Sequence, residues 1–333
     1  MTIINRGLWR NQTSAVLENQ YLKVTVLPEL GGKSASIFYK ERDFELLSQV
    51  QKDVVYKKPA IDTPFENCDA SGFDDAFPTI VAAGEDWPDP KGRYTDHGEI
   101  WRSCFHDKIV EDILELTYES GINNYKYKKT VSLHGSSVVY KYFVKNISNK
   151  DFPCLWAMHA LVRYEEDMEL FYPDKTAYFL NTLDSPELGP AGVRIPAKNG
   201  FYDFQRVPGK KTHTMVKYYV DGKVSAGRCG YRYPGQDVQC ELLYDEQKLP
   251  YLGFWLTAGG FRGDYNCALE PSNGFYDGVS QARRNGALFL LKAGETLEFA
   301  IEIRLKRISQ EKREGYQDDR KRTAFVCAEW KKT

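Results

Sequence analysis

Apolar and polar residues alternate in short runs along the first three hundred positions. The run from Thr296 to Lys306 is the clearest: Leu297, Phe299, Ile301, Ile303 and Leu305 alternate with Glu298, Glu302, Arg304 and Lys306, as a half-exposed strand requires. Residues Glu18–Phe38 read as two strands around Pro28 and Gly31-Gly32, with Leu22, Val24 and Val26 on one face of the first. Further strands are predicted at Ile113–Tyr118, Tyr125–Leu133, Val138–Ile147, Leu155–Val162, Val238–Tyr244, Leu252–Leu256 and Leu288–Leu291. Turn signals such as His134-Gly135, Asp221-Gly222 and Ala293-Gly294 fall between them, and no long 3.6-residue apolar period interrupts the series. The pattern predicts an all-β sandwich or barrel with few, short helices. No repeat, low-complexity segment or Gly/Ser linker divides the chain, so 1–333 is expected to be one domain with a charged appendage at about 308–333.

One stretch, NCALEPSNG at Asn266–Gly274, places a carboxylate where a strand gives way to a turn. Alternation puts Asn266, Ala268 and Glu270 on one face, and Pro271 is expected to end the pairing, leaving Glu270 at the sheet rim. A backbone-fixed, partly desolvated carboxylate suits a general base, and a solvated rim glutamate is the plainer alternative. The polar segment Asn67–Arg102 is rich in Gly and Pro and reads as loops, where ligand groups gather. At its end, TDHGEIWR reads as the start of a strand with His97, Glu99 and Trp101 on one face, and Asp96, Ile100 and Arg102 on the other. Imidazole beside indole fits a sugar ring, and a hydrogen-bonded structural histidine fits equally. His159, within PCLWAMHALVRY, is either a satisfied core histidine or a desolvated general acid. Asp74 and Asp75 could orient hydroxyls, hold a cation or form an Asx turn. Arg102 could meet a phosphate or pair with an acid.

Composition narrows the partners. Aromatic residues make up 14% of the 333-residue chain, which favours strands and offers flat faces to sugar rings. A net charge of -1 with mixed signs gives no field to gather a polyanion, so nucleic acid is not expected as a partner. Neither an export signal nor a run of eighteen apolar residues is visible, so no membrane is expected and the cytoplasm is the expected compartment. The seven cysteines contain no C-x-x-C pair, which argues against a disulfide framework or a cysteine-rich zinc site. Motifs for zinc hydrolysis, phosphate cradling, serine hydrolysis and dinucleotide binding are absent from the sequence. No cofactor is therefore expected, with a divalent cation among the loop carboxylates left open.

Taken together, ENQYLKVTVLPELGGKSASI, GFDDAFPTI, DHGEIWR, WAMHALVRY and LGFWLTAGGFRGDYNCALEPSNG resemble the aldose 1-epimerase, or galactose mutarotase-like, superfamily from about Glu18 to Arg307. The resemblance implies a large antiparallel β-supersandwich with a sugar cleft across one face. It further implies a mutarotase that interconverts anomers of a hexose or related aldose by ring opening, with Glu270 as base, His159 as acid and His97 as a supporting histidine. Asp74, Asp75, Glu99, Trp101, Arg102 and Trp255 are the expected substrate contacts, with no metal ligand among them. The N-R-[IV]-x-x-[AG] arginine motif of galactose mutarotases is missing, which marks a divergent branch; Asp264 is the candidate for the family's additional substrate aspartate. A small sugar is the expected partner, and the protein is expected to be a monomer or homodimer. A non-catalytic sugar sensor with the same fold is the alternative.

Overall fold

Strands that are apolar on one face must bury it against another layer, and here two antiparallel sheets do so. The computed structural model describes residues 1–50, 56–61, 63–88 and 93–309. Among these residues the larger sheet has 13 strands. Its spatial order is Ile3–Trp9, Gln12–Glu18, Leu22–Leu27, Lys33–Tyr39, Phe73–Ala76, Ala157–Ala160, Tyr265–Ser272, Tyr251–Ala258, Met215–Val220, Tyr178–Asn181 and Arg194–Pro196, with Phe44–Glu45 and Val162–Arg163 attached at the side. The facing sheet has eight: Glu169–Phe171, Arg228–Tyr233, Val238–Tyr244, Thr296–Lys306, Ser137–Asn146, Tyr125–His134, Ile113–Glu119 and His106–Val110. The single α-helix among the described residues is short, Val279–Arg284, and none is long and apolar enough to cross a membrane. The all-β sandwich expected from the alternation, in the supersandwich form that the resemblance implies, is what the chain forms. The charged tail falls, from residue 310 on, outside the described residues.

The core between the sheets is aromatic and partly polar. Asp75, on the larger sheet, is completely buried with Lys129 of the facing sheet 3.0 Å away. The Tyr127 and Tyr142 hydroxyls donate to its two oxygens at 3.2 and 3.0 Å. The Lys129 ammonium in turn lies 4.7 Å above the Phe73 ring and 5.0 Å from that of Tyr140, so the buried charge is matched on every side.

Three local expectations are corrected. Pro271 does not end its strand: pairing runs on through Leu252↔Pro271 and Tyr251↔Ser272, because a proline lacks only the N–H and its carbonyl still accepts. The strand expected over Leu155–Val162 breaks into Ala157–Ala160 and Val162–Arg163, and at the break Leu161 N donates to Gly72 O outside the sheet ladder. The stretch TDHGEIWR is a turn leading into a 3-10 helix, Ile100–Arg102. His97 and Gly98 both have positive φ there, and a Cβ at Gly98 would lie 2.2 Å from the Phe77 carbonyl oxygen, so only glycine lets the turn close.

Candidate functional site

Register across the larger sheet builds the site in one row. Asp74 pairs with His159, and Glu270 pairs with Gly253, which pairs with Tyr219. The pairs Ala157↔Ser272 and Val162↔Cys267 on either side set His159 opposite Glu270. Lys33 joins the far end, its Nζ 2.9 Å from Asp74 Oδ2 and 2.6 Å from Asp69 Oδ2. Side chains of one row share a face, so Lys33, Asp74, His159, Glu270 and Tyr219 all look away from the core. Glu270 is therefore not at a rim. It is fully buried in the middle of the sheet, its Oε1 3.8 Å from His159 Nε2.

Aromatic side chains close over this row. Phe65 stacks on His97 with ring centroids 3.9 Å apart and meets His159 edge-on at 4.9 Å. His97 and His159 are 4.8 Å apart, so both imidazoles and Glu270 form one cluster. Trp101 lies 5.2 Å from Phe65 and donates its indole N–H to the Asp96 carbonyl. Trp255 packs beside the same group and donates to Asn266 Oδ1 at 3.1 Å. Asp96 ties the cover down, one oxygen accepting from the Phe65 amide and the other pairing with His97 Nδ1 at 2.8 Å.

The ionisation of these groups follows from burial and their neighbours. Burial pushes Glu270 up to about 7, with Lys217 pulling it down and Asp277 adding to the rise. Burial also pushes Asp74 up to about 7, against the pull of Lys33. Burial, aided by the neighbouring His97 and by the Lys217 and Lys33 ammoniums, holds His159 well below its ordinary value. Burial lowers His97 too, although Asp96 opposes it. For Asp96, burial raises the pKa, but the hydrogen bonds from His97 and the Phe65 amide help outweigh it and keep the group ionised. An ionised carboxylate only accepts, so the His97 proton is on Nδ1 and Nε2 presents a lone pair. Glu270 Oε1, Asp74 Oδ1 and His159 Nδ1 are buried without a hydrogen-bond partner, while Glu270 Oε2 and Asp74 Oδ2 face the Lys217 and Lys33 ammoniums. Buried polar atoms left open on one face point to a ligand that fills them.

Not every expected contact reaches this face. Asp75 points the other way, into the core described above. Glu99 accepts from Tyr118, Ser120, Asn123 and Tyr125, which consumes both its oxygens on the opposite side of the turn. Arg102 is buried, donating to the Gly98 carbonyl and to Thr95 Oγ1, and so braces the turn instead of facing a phosphate. The missing strand at TDHGEIWR explains both, since the alternation that grouped these residues does not exist. Asp264 sits in the hairpin beyond the row, paired with Arg262 at 3.3 Å. Two residues unseen in the sequence stand near Glu270 instead: Lys217, with Nζ 3.4 Å from Glu270 Oε2, and Asp277, 3.1 Å from the same Nζ. Lys217 shares a face with Met215 and Tyr219 in MVKYYV, and a lysine inside so apolar a run was the signal available.

A separate cavity of about 670 Å³ lies at the edge of the sheet, lined by Tyr172, Phe179, Phe201 and Tyr202. It contains no unpaired buried polar atom and none of the groups above. Among the described residues no His, Cys, Asp and Glu side chains cluster as a metal site. The six cysteines there are free thiols.

Comparison with known proteins agrees with this architecture. The sequence model of a family described as "Domain of unknown function (DUF4432)" matches residues 207–305. No curated protein matches the chain. A galactose mutarotase-like protein from Clostridium acetobutylicum superposes with a TM-score of 0.69 at 13% identity, over 92% of this chain and 99% of its own. One from Lactobacillus casei gives 0.65 at 16% identity, over 88% and 100%. A galactose mutarotase related enzyme from Lactobacillus acidophilus gives 0.65 at 13% identity, over 88% and 97%. The chain has the galactose mutarotase-like fold.

Proposed function

We propose that the protein interconverts the anomers of an aldose by proton transfer, with Glu270 as base and His159 as its proton partner. The observation that carries this reading is the meeting of Glu270, His159 and His97 in one buried cluster that keeps unpaired polar atoms on Glu270 and His159. Glu270, ionised over part of the neutral range, takes the proton of the anomeric hydroxyl while the bond from the anomeric carbon to the ring oxygen breaks. His159 starts neutral, so it is not a ready-made acid. It relays the proton from Glu270 to the ring oxygen, and the two oxygens involved are borne on the same carbon, matching two side chains 3.8 Å apart. Rotation about the adjacent carbon–carbon bond and reclosure give the other anomer, with the proton returning along the same path. His97 Nε2 accepts from a sugar hydroxyl, and Phe65, Trp101 and Trp255 supply faces for the ring's C–H groups. The reaction moves protons and breaks and remakes one carbon–oxygen bond with no change of oxidation state, so side chains suffice for it.

The substrate class follows from charge. Each buried lysine of the row is already matched, Lys33 by Asp69 and Asp74 and Lys217 by Glu270 and Asp277, which favours a neutral aldose over a sugar phosphate. Saturation-transfer NMR across neutral aldoses and their phosphates tests the reading. Exchange above the buffer rate is expected with a neutral sugar, falling about 100- to 10,000-fold in Glu270→Gln. Equal exchange by both proteins would remove Glu270 from the chemistry.

A further inference from the structure

The strand Met215–Val220 lies two strands away from Glu270, with Tyr251–Ala258 between them. An intervening side chain would keep Lys217 from the carboxylate, but the residue opposite Glu270 is Gly253. Across that gap the lysine brings Nζ to 3.4 Å from Glu270 Oε2, and its side chain is only 14% exposed. Asp277, from the turn after the base's own strand, holds the same ammonium at 3.1 Å and is itself fixed by the Tyr219 hydroxyl, which donates to it at 2.7 Å. The lysine is thus close enough to act on Glu270 through Oε2, while Oε1 stays without a hydrogen-bond partner.

We propose that Lys217 and Asp277 are a pair of positioning residues that set the protonation of Glu270 from opposite sides, the lysine favouring the carboxylate and the aspartate favouring the acid. The assignment rests on Glu270 being the base. A buried carboxyl alone would stay protonated at neutral pH, and a full ion pair with a lysine would leave it too weak a base. The Asp277 carboxylate divides the lysine's attention, and Glu270 comes to rest at about 7. The other titratable groups that face it are His159 from Ala157–Ala160 and Tyr219 from Met215–Val220. His97 lies beyond His159, with Asp74 and Lys33 further along the row. Of these only Tyr219 stands on the Lys217 side, where its hydroxyl holds Asp277, so the two substitutions below act on the pair and leave that hydroxyl in place.

The test compares Lys217→Met, Asp277→Asn and Lys217→Arg with wild type. Two quantities are followed: the acid limb of the pH profile of kcat/KM for anomer exchange, and the infrared carboxyl titration of protein carrying ¹³C-labelled glutamate. Lys217→Met is expected to move the limb and the titration up by about 1 to 3 pH units, and Asp277→Asn to move both down. Lys217→Arg returns them toward wild type. General damage to the fold has no reason to produce opposite shifts, so the pairing of directions separates a charge effect from a structural one. Unmoved profiles, or shifts of the same sign in both neutral variants, would overturn the proposal. The infrared titration, taken as the difference from the same background carrying Glu270→Gln, reads Glu270 without turnover. Opposite shifts there with no exchange in wild type would leave the pair standing and sink the mutarotase reading instead.

Discussion

Glu270 gives up stability to be available for chemistry. Its pKa in the folded chain is raised from 4.5 to about 7 by burial, so between those values the folded chain keeps a proton that the unfolded chain loses. The associated stabilisation is complete below the unfolded value and is lost as pH rises through 7. Above pH 7 the buried carboxylate costs about 3 kcal/mol relative to a neutral group of the same shape. Glu270→Gln is therefore expected to raise the melting temperature at pH 8 and to change it little at pH 4, while exchange is lost. An equal effect at both pH values in calorimetry would show that the carboxyl is not the titrating group. Sequence alternation was enough to put Glu270 on one face with Asn266 and Ala268, which is where it stands. It was not enough to show depth, because burial in mid-sheet depends on which strands flank Tyr265–Ser272, and one of them, Ala157–Ala160, comes from more than a hundred residues earlier.

At the level of elements, the longest strands were legible and most of the short ones were not. Val238–Tyr244 and Thr296–Lys306 show several full periods of alternation, whereas Glu169–Phe171 or Arg194–Pro196 are too short to show one. The edge strand Ile3–Trp9 escaped for a different reason: with no buried face, its sequence carries no alternation to read. Phe65 was equally silent, since an aromatic residue in a loop has no periodicity and its stack on His97 depends on tertiary placement. Gly253 has a role that its strand alone does not reveal. A Cβ there would lie 2.8 Å from Tyr219 Cζ, so the tyrosine ring lies over the glycine and reaches Asp277 from that position. Gly253→Ala is expected to displace the ring, lower stability by about 1–3 kcal/mol in urea denaturation and slow exchange. Full activity in that variant would mean that the Tyr219–Asp277 contact has no part in arranging the site.

At the scale of the whole molecule, the two sheets are joined by polar groups as well as by packing. Asp75 of one sheet meets Lys129, Tyr127 and Tyr142 of the other, and Ser34 meets Tyr140 across the same interface at 2.8 Å. Much of the tyrosine content that suggested sugar binding is spent here, between the layers. Asp75→Asn would leave Lys129 charged and buried without its counter-ion, and a loss of about 3–5 kcal/mol is expected in equilibrium unfolding. A near-neutral result would show that the ammonium finds another partner or gives up its proton.

Asp74 and Asp75 are chain neighbours on a strand, so they face opposite sides of it, one toward the covered row and one toward the interior. Two unrelated demands thus fall on adjacent codons. In related chains Asp75 should come and go together with Lys129, as a counter-ion must, while Asp74 should follow Lys33 and the histidine across from it. A single "DD" in an alignment would hide two separate histories, and substituting the pair at once would confuse a collapsed interior with a lost reaction.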